Sequence, residues 1–290
     1  LRQDIDIDAA GQVTVTVESG TAFIGSETDF KLNNVTADGD VRIKVREGIT
    51  SGTPDGNTAA DAKVDINGHN LIIEAAEKSI GTEADKININ LSDGGTLTAR
   101  ANTGVYIVEQ SGNVPLEGIF VKSGNLYLEA IDGDIIDSLD SDFTKLKADR
   151  IELIAEKGQI GEKDDPLEVD VREFASANKG YIVLKAQDLI NVRETAGDMN
   201  VKEATASAGD VILRAADSIL DDNNNQAADV TGDSITLTAD SGTLGVKENW
   251  LEINTKSGSG TLTGQSFGHS YIKEVSGDLS LNRVGAEDTT

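Results

Sequence analysis

Two groups of acidic residues are the strongest candidates for chemistry in this sequence of 290 residues. The upstream acidic cluster comprises five aspartates within eleven residues, namely Asp132, Asp134, Asp137, Asp140 and Asp142. The downstream acidic cluster comprises Asp221, Asp222 and Asp229, which bracket the asparagine run Asn223–Asn225. Carboxylate and amide oxygens at turns are ligands that Ca²⁺ prefers. Each cluster is therefore a candidate calcium site.

Neither cluster has the spacing of an established calcium motif. An EF-hand loop needs a glutamate at its twelfth position, and the Gly-Gly-x-Gly-x-Asp nonapeptide of calcium-binding β-rolls is absent from the sequence. Solvated turns are therefore the favoured interpretation, and weak calcium binding at acidic turns is the alternative. Such binding would screen part of the net charge of −26 and stiffen the fold. No other metal and no cofactor are expected.

The histidines and the recurring glutamates do not form a catalytic pattern. His69 and His269 are far apart in the chain, and we expect both to be exposed turn residues, which argues against a Ser/His/Asp triad or a histidine-rich metal site. Glu109, Glu194 and Glu274 recur at equivalent places, so we expect them to accept turn hydrogen bonds or to face solvent. We predict no catalytic residue, and the chain is not predicted to be an enzyme.

Composition excludes several further classes of function. The 51 Asp and Glu residues outnumber the 25 Lys and Arg residues, and so negative a field repels nucleic acid and anionic lipid. The absence of cysteine excludes disulfides. No run approaches the roughly 20 apolar residues of a membrane helix, so this segment is not expected to insert into a membrane. The chain begins in the middle of a pattern, which predicts a fragment of a larger protein.

Internal repeats organise the chain. Three segments align without gaps, with the sequences LIIEAAEKSIGTEADKINI (Leu71–Ile89), IELIAEKGQIGEKDDPLEV (Ile151–Val169) and ITLTADSGTLGVKENWLEI (Ile235–Ile253). Apolar residues alternate at period two on both sides of a shared glycine, which is Gly81, Gly161 or Gly245. This alternation predicts β-strands. The shared glycines are expected to supply a turn conformation that other residues disfavour.

A second block recurs between copies of the first, and a third block repeats with the same long period of 80 to 85 residues as the shared glycines. One starts with glycine and continues as a period-two strand, in Gly39–Val45, Gly124–Ala130, Gly180–Ala186 and Gly209–Ala215. The other occurs at Tyr106–Val114, Ile190–Met199 and Tyr271–Leu279. Because different blocks share one period, the repeat is a property of the chain and not of its composition. The long units are approximately 67–150, 151–234 and a partial 235–290, preceded by a divergent unit 1–66.

Short strands separated by Gly, Asn, Asp and Ser turns predict an all-β fold, for which two architectures compete. Packed sandwiches would have hairpin turns and an aromatic-rich core, whereas aromatic residues make up only 4% of this chain. A parallel β-helix stacks like residues at the strand spacing, so aliphatic ladders such as Leu71/Ile73, Ile151/Leu153 and Ile235/Leu237 fill its narrow interior. The repeats favour a single continuous β-helix (β-solenoid) over residues 1–290. At an assumed 20 to 25 residues per coil, it would have roughly 12 to 14 coils.

Two segments interrupt the repeats, Glu47–Asp65 and Glu173–Lys179. Loops that break a repeat scaffold are places where recognition can be added to it. An extra-long turn is nevertheless the favoured interpretation of each, with a receptor site as the alternative.

The stretch Ser218–Ile253, which contains ITLTADSGTLG, and the following YIKEVSGDLSL of Tyr271–Leu281 resemble the repeat region of large bacterial filamentous adhesins. That family includes filamentous haemagglutinin-like proteins exported by two-partner secretion, and exoproteins of the fusobacterial leukotoxin type. The DPLEV sequence at Asp165–Val169 is similar to the proline variant of the family repeat. The resemblance covers roughly Gly68–Val284 and, less closely, Val13–Val45.

The resemblance implies a right-handed parallel β-helix that is secreted or lies on the bacterial cell surface. It also implies a structural stalk that presents, or contributes to, adhesion to host cells or glycans. The partners would be a host-cell receptor or glycan and an outer-membrane transporter of the parent protein. The lack of cysteine suits export as an unfolded chain.

Two other functions stay open at this point. One is a segment of a secreted pore-forming or leukotoxic exoprotein. The other is a β-helix polysaccharide-degrading enzyme, which would need a carboxylate pair or a calcium ion with Arg or Lys, in a cleft lined by aromatic rings. The few, scattered aromatic residues of this chain do not favour the enzyme.

Overall fold

A computed structural model describes residues 5–9, 11–52, 63–171, 180–256 and 260–286. The chain forms two compact units. Unit 1 comprises Leu1–Leu139 and Lys145–Ala148, and unit 2 comprises Asp140–Thr144 and Asp149–Thr290. Asp149 lies next to the predicted repeat boundary at residue 151. The single continuous β-helix over the whole chain stays a prediction.

Unit 1 is built from parallel strands in two sheets. Its strands are β1 (Ile5–Asp6), β2 (Val13–Val17), β3 (Ala22–Ser26), β4 (Phe30–Ala37), β5 (Val41–Val45), β6 (Ile49–Ser51), β7 (Ile66–Gly68), β8 (Leu71–Ala75), β9 (Ser79–Ile80), β10 (Ile87–Leu91), β11 (Leu97–Ala101), β12 (Gly104–Glu109), β13 (Val114–Val121), β14 (Asn125–Ala130), β15 (Ile135–Asp137) and β16 (Leu146–Ala148). One sheet has the order β1-β3-β5-β8-β11-β13-β16, with β15 beside β13. The other has the order β10-β7-β4-β6-β9-β12-β14, with β2 beside β4 and an additional pairing of β10 with β12.

Unit 2 repeats this arrangement of parallel strands. Its strands are β17 (Arg150–Ala155), β18 (Leu167–Val171), β19 (Tyr181–Ala186), β20 (Ile190–Glu194), β21 (Met199–Ala206), β22 (Val211–Ala215), β23 (Ile219–Asp221), β24 (Val230–Gly232), β25 (Ile235–Ala239), β26 (Leu251–Thr255), β27 (Leu262–Ser266), β28 (Ile272–Glu274) and β29 (Leu281–Ala286). One sheet has the order β18-β20-β22-β25-β27-β29. The other has the order β17-β19-β21-β24-β26-β28, with β23 beside β21.

Aliphatic ladders fill the interior of each unit. Successive coils pair in parallel register and place buried apolar residues one above another, as in Val41/Leu71/Leu97 of unit 1 and Val211/Ile235/Leu262 of unit 2. Each buried aliphatic side chain contributes about 1.5 to 3 kcal/mol to the free energy of unfolding. The predicted ladder residues are therefore in the core, and each stacks on residues of the adjacent coils.

These features define a parallel β-solenoid, which confirms the predicted all-β fold class. The structure has about 11 turns, slightly fewer than the 12 to 14 predicted, because several coils are longer than assumed. Hydrogen bonds between adjacent coils join residues 19 apart at Thr14 and Asn33, but 31 apart at Arg46 and Glu77. The part of the chain that the structure describes has no helix, and hence none that could cross a membrane.

The shared glycines adopt the backbone conformation that the repeats predict. The φ angles of Gly81, Gly161 and Gly245 are +67°, +72° and +66°. The space around them is also closed, because a Cβ atom added at Gly161 would lie 2.1 Å from the carbonyl oxygen of Asn191. Glycine is required at these positions both by backbone conformation and by the close approach of the next coil.

Replacement of Gly161 by alanine is expected to lower the free energy of unfolding by about 2 to 4 kcal/mol, measured by urea denaturation. The loss combines a left-handed φ with the clash against Asn191. Gly277→Ala is the matched control in the same unit, since Gly277 has a φ of +86° but open space around it. It should cost only about 1 to 2 kcal/mol. Equal losses in the two variants would contradict a role for the close approach.

Candidate metal centre

Three carboxylates converge in unit 2, and two of them belong to the downstream acidic cluster. Asp221 is the last residue of β23, Asp229 directly precedes β24, and Glu252 is the second residue of β26. Pairing of β24 with β26 in the register Val230 to Ile253 places Asp229 beside Glu252. One carboxylate oxygen of each residue lies within 4.8 Å of those of the other two. We call this group the acidic triad.

The acidic triad is withdrawn from solvent. Asp221 is 8% exposed, and Asp229 and Glu252 are each 1% exposed. Burial of a carboxylate is unfavourable unless a cation or hydrogen-bond donors compensate for the lost hydration. The contacts of each carboxylate therefore show whether a cation or hydrogen-bond donors already compensate for its burial.

Asp221 is held in place by the turn that follows it. Its Oδ1 accepts the backbone N–H of Asn223 at 2.7 Å, and its Oδ2 accepts that of Asn224 at 2.9 Å. Asn224 has a φ of +47°, a conformation that asparagine tolerates better than most residues. The asparagine run thus shapes the turn and fixes the carboxylate of Asp221.

Asp229 is hydrogen-bonded to strand β26 through its backbone and its side chain. Its backbone N–H donates to the carbonyl oxygen of Glu252 at 2.8 Å, and its Oδ2 accepts the backbone N–H of Glu252 at 3.0 Å. The side-chain amide of Asn223 donates to Oδ1 of Asp229 at 3.3 Å. These hydrogen bonds orient Asp229 but bring no positive charge to it.

Glu252 has the least satisfied carboxylate of the three. Its Oε2 is buried and has no hydrogen-bond partner. Its Oε1 lies 3.7 Å from the Nζ of Lys273, whose side chain is 40% exposed and also bonds the Oε1 of Gln226. The ion pairs formed among the described residues thus give the triad a single, partly solvated ammonium for three carboxylates.

Burial and like charge both act on Asp229. Withdrawal from solvent, followed by the nearby carboxylates of Asp221 and Glu252, raises the pKa of Asp229 to about 8, although the hydrogen bond from the Glu252 backbone opposes the shift. The carboxylates can therefore share a proton near neutral pH, or a cation can take its place. This is the pattern of a site that is incomplete without a positive charge.

The position of Asp229 in its coil has two equivalents earlier in the chain, which the same backbone hydrogen bond identifies. The carbonyl oxygens of Asp65, Lys145 and Asp229 accept the backbone N–H groups of Val35, Ile119 and Ala204 at 2.7, 2.8 and 2.7 Å. Each of the three has a partner earlier in the chain that is the last residue of the preceding strand, and these partners are Ser51, Asp137 and Asp221. We call the three pairs the first, second and third copies of the inward polar site.

The three copies contain different chemistry. In the first copy, the hydroxyl of Ser51 donates to Oδ1 of Asp65 at 2.9 Å. In the second copy, Nζ of Lys145 lies 2.7 Å from Oδ1 of Asp137, and their side chains are 4% and 0% exposed. In the third copy, Asp229 occupies the position that Lys145 occupies in the second copy. The turn is otherwise alike, because Asp137 and Asp221 both accept the backbone N–H two residues ahead.

The upstream acidic cluster is divided between the two units, with Asp132, Asp134 and Asp137 in unit 1 and Asp140 and Asp142 in unit 2. Asp137 is buried against Lys145, whereas Asp142 is 90% exposed and pairs with Arg193 at 2.9 Å. Within the described ranges, the one group of three or more potential ligands close enough to share an ion is the acidic triad. Of the two clusters that the sequence suggests, the downstream cluster contributes two members of the acidic triad, and Glu252 takes the place of Asp222.

The two histidines and the three recurring glutamates lie at structural positions in the coils. His269 is exposed, and His69 is half-buried with its Nδ1 3.3 Å from the Oγ of Ser92. Glu109 and Glu194 are buried and accept backbone N–H groups from the neighbouring coil, and Glu274 accepts that of Thr255. The recurring glutamates thus make the hydrogen bonds expected of them, although two of the three are buried rather than solvated.

Sequence reasoning missed Glu252 and Lys145. Glu252 lies between Leu251 and Ile253, and period-two alternation assigns it to the outer face, whereas all three are buried. The repeat alignment holds the only hint, since the residue aligned with Glu252 is Glu168 in the preceding copy and Asn88 in the first. A position that is always polar inside a buried strand indicates an inward polar site.

The two segments that interrupt the repeats lie largely outside the described residues. Residues 53–62, in the middle of Glu47–Asp65, and the whole of Glu173–Lys179 are among those not described. At the described edge of the first segment, Nζ of Lys78 lies 2.7 Å from carboxylate oxygens of both Glu47 and Asp29. The hypothesis of a receptor site in these segments stays a prediction.

Fold and site together define a parallel β-solenoid with a buried acidic triad. Comparison with protein families, with curated proteins and with solved structures gives no match for the chain. The function has therefore to be inferred from its own residues.

Proposed function

We propose that this chain is a structural stalk segment of a secreted or cell-surface bacterial adhesin of the filamentous haemagglutinin-like kind. In this proposal, the solenoid spaces or displays regions that bind host cells or glycans, and it is not an enzyme. The resemblance of Ser218–Ile253 and Tyr271–Leu281 to adhesin repeats motivates the proposal.

The observation that carries the proposal is the stacking of aliphatic ladders from coil to coil among the described residues of each unit. Coil stacks on coil in parallel register, as at β5, β8 and β11 of unit 1 and at β22, β25 and β27 of unit 2. Each coil then buries its apolar residues only against its neighbours, so length is added by adding repeats. A spacer needs this property, whereas a catalyst needs a singular site.

The buried position of the converging carboxylates also supports a non-enzymatic role. Members of the acidic triad are between 1% and 8% exposed, so a polysaccharide chain could not reach them in this conformation. The open groove at Asp140, Glu162 and Asp164 is lined by solvated polar side chains and no aromatic ring. Glycosidase sites need an accessible carboxylate pair.

A surface-display experiment tests the stalk function. A nanobody is displayed on a bacterial surface, either on this chain or on a flexible Gly/Ser linker with the same number of residues, and the binding of an antigen-coated bead is measured. The solenoid is expected to give bead capture through a capsule layer at which the flexible linker gives little, because stacked coils hold their length. Equal capture by the solenoid and the linker would contradict a stalk.

Assays on the purified chain separate the other functions. A stalk is expected to give no saturable binding to host cells or a glycan array, no reducing ends from polygalacturonate or chitin-type glycans, and no dye release from vesicles. Saturable binding would indicate an adhesive tip. Reducing ends would indicate an enzyme, and dye release a pore-forming toxin.

A further inference from the structure

We propose that Asp221, Asp229 and Glu252 bind one divalent cation, with Ca²⁺ as the expected ion, at the place where the second copy of the inward polar site has the ammonium of Lys145. This inference is independent of the stalk function, because it rests only on contacts within unit 2 and on the comparison between copies.

The comparison between copies supplies the first argument. The second copy balances the buried carboxylate of Asp137 with an ammonium 2.7 Å away. The third copy keeps the aspartate, as Asp221, and keeps the turn, but it replaces the lysine with Asp229. The substitution removes one positive charge and adds one negative charge in a buried place. A group of buried carboxylates such as this one is stabilised when a cation binds to it.

The unpartnered oxygen of Glu252 supplies the second, independent argument. Oε2 of Glu252 is buried, receives no hydrogen bond, and belongs to a side chain that is 2% exposed. The charged groups beside the Glu252 carboxyl group are Asp221, Asp229 and Lys273, and of these only Lys273, which lies 3.7 Å from Oε1, carries positive charge. With all three carboxylates ionised and Lys273 at the edge, the local charge is −2, and a divalent ion that takes the place of the shared proton would bring it to zero.

The donor set selects the kind of ion. All three donors are carboxylate oxygens, and no histidine or cysteine contributes, which disfavours Zn²⁺ and suits a hard cation. Ca²⁺ binds oxygen at about 2.3 to 2.6 Å, so ligands on opposite sides of one ion lie up to about 5 Å apart. The mutual distances within 4.8 Å fit that limit. Mg²⁺ demands a tighter octahedron and gives up its water reluctantly.

Such an ion would attach the loop between Asp221 and Asp229 to strand β26. Asp221 ends β23 and Glu252 lies in β26, so the ion would add a further link between two coils that backbone pairing, aliphatic contacts and the hydrogen bond of Asp229 to Glu252 already join. The expected effect is thermal stabilisation of unit 2, because an ion that binds only the folded state shifts the unfolding equilibrium.

Calcium titration of the purified chain tests the site. Wild type is expected to bind one Ca²⁺ per chain by isothermal titration calorimetry near neutral pH. Its melting temperature should rise by about 5 °C between excess EDTA and millimolar Ca²⁺, with a smaller rise in Mg²⁺. Tb³⁺ luminescence sensitised by Trp250, which precedes β26, provides a second readout.

Three variants sharpen the test. Glu252→Gln should lose the calcium-dependent rise and weaken Ca²⁺ binding at least tenfold. Asp229→Lys recreates the second copy, so it should stay folded with a melting temperature that no longer differs between Ca²⁺ and EDTA. Asp222→Asn is the matched control. It removes one negative charge, as Glu252→Gln does, but from the residue that follows Asp221, and it should keep the full calcium response.

Two results would overturn the inference. One is wild-type protein that shows no Ca²⁺ binding and the same melting temperature in Ca²⁺ and EDTA, which would mean that a proton neutralises the acidic triad. The other is Asp229→Lys protein that folds and keeps the wild-type calcium response, which would place the bound ion elsewhere on the chain.

Discussion

Lys145→Met is expected to lower the free energy of unfolding by about 3 to 5 kcal/mol, because it leaves the carboxylate of Asp137 buried without its cation. The Nζ of Lys145 lies 2.7 Å from Oδ1 of Asp137, and the two side chains are 4% and 0% exposed. Urea denaturation followed by far-UV circular dichroism measures the loss.

A double variant separates the ion pair from the packing around it. Asp137→Asn combined with Lys145→Met removes both charges, and the asparagine oxygen can still accept the backbone N–H of Leu139, as Asp137 does at 2.8 Å. The double variant should therefore be more stable than Lys145→Met alone by about 1 kcal/mol or more. Lys44→Met, at an exposed position in the same unit, should change stability by less than about 0.5 kcal/mol. A Lys145→Met loss no larger than that of Lys44→Met would contradict the buried pair.

The aliphatic core and the turns of this solenoid could be predicted because each coil repeats them. Period-two runs such as Leu71–Ala75 predict strands, and the structure has one with those bounds. The shared glycines predict a special backbone, and Gly161 has a φ of +72°. Like residues stack on like residues, so repetition in sequence is direct evidence of position in the fold.

The inward polar site could not be predicted in the same way, because its residues differ from copy to copy. Asp65, Lys145 and Asp229 share a backbone hydrogen bond but no side-chain chemistry. Alternation also fails there: Leu251, Glu252 and Ile253 are consecutive, and all are buried. Only the coil geometry reveals that a lysine and two aspartates occupy one place.

The three copies show how a solenoid can change chemistry without changing its path. A hydroxyl satisfies Asp65 and an ammonium neutralises Asp137. The third copy retains a buried carboxylate next to two others. The second and third copies share the same turn, so one backbone path accommodates a lysine at this position in one copy and an aspartate in the other.

The stability of the chain is expected to fall as the pH rises from about 5 to about 8.5, and Glu109 and Glu194 are expected to account for a large share of the loss. Burial raises the pKa of each carboxyl to about 8, although backbone N–H groups that donate to them oppose the shift. The ordinary value is 4.5. Between the two values the folded chain keeps a proton that the unfolded chain has released, so the contribution of these two groups to stability is fully present below about pH 4.5 and is lost as the pH rises toward 8.

The variant Glu109→Gln/Glu194→Gln isolates this contribution, because a neutral amide has no proton to lose in that range. A tenfold difference in proton affinity between the folded and unfolded chain corresponds to about 1.4 kcal/mol. Wild type should therefore lose at least about 2 to 4 kcal/mol more than the double variant between about pH 5 and pH 8.5, as measured by urea denaturation at each pH. Glu117→Gln, on an exposed face of β13, removes one carboxyl without touching a buried one and should follow wild type. Parallel curves for wild type and the double variant would mean that the backbone donors of Leu91 and Val171 hold both carboxylates ionised despite their burial.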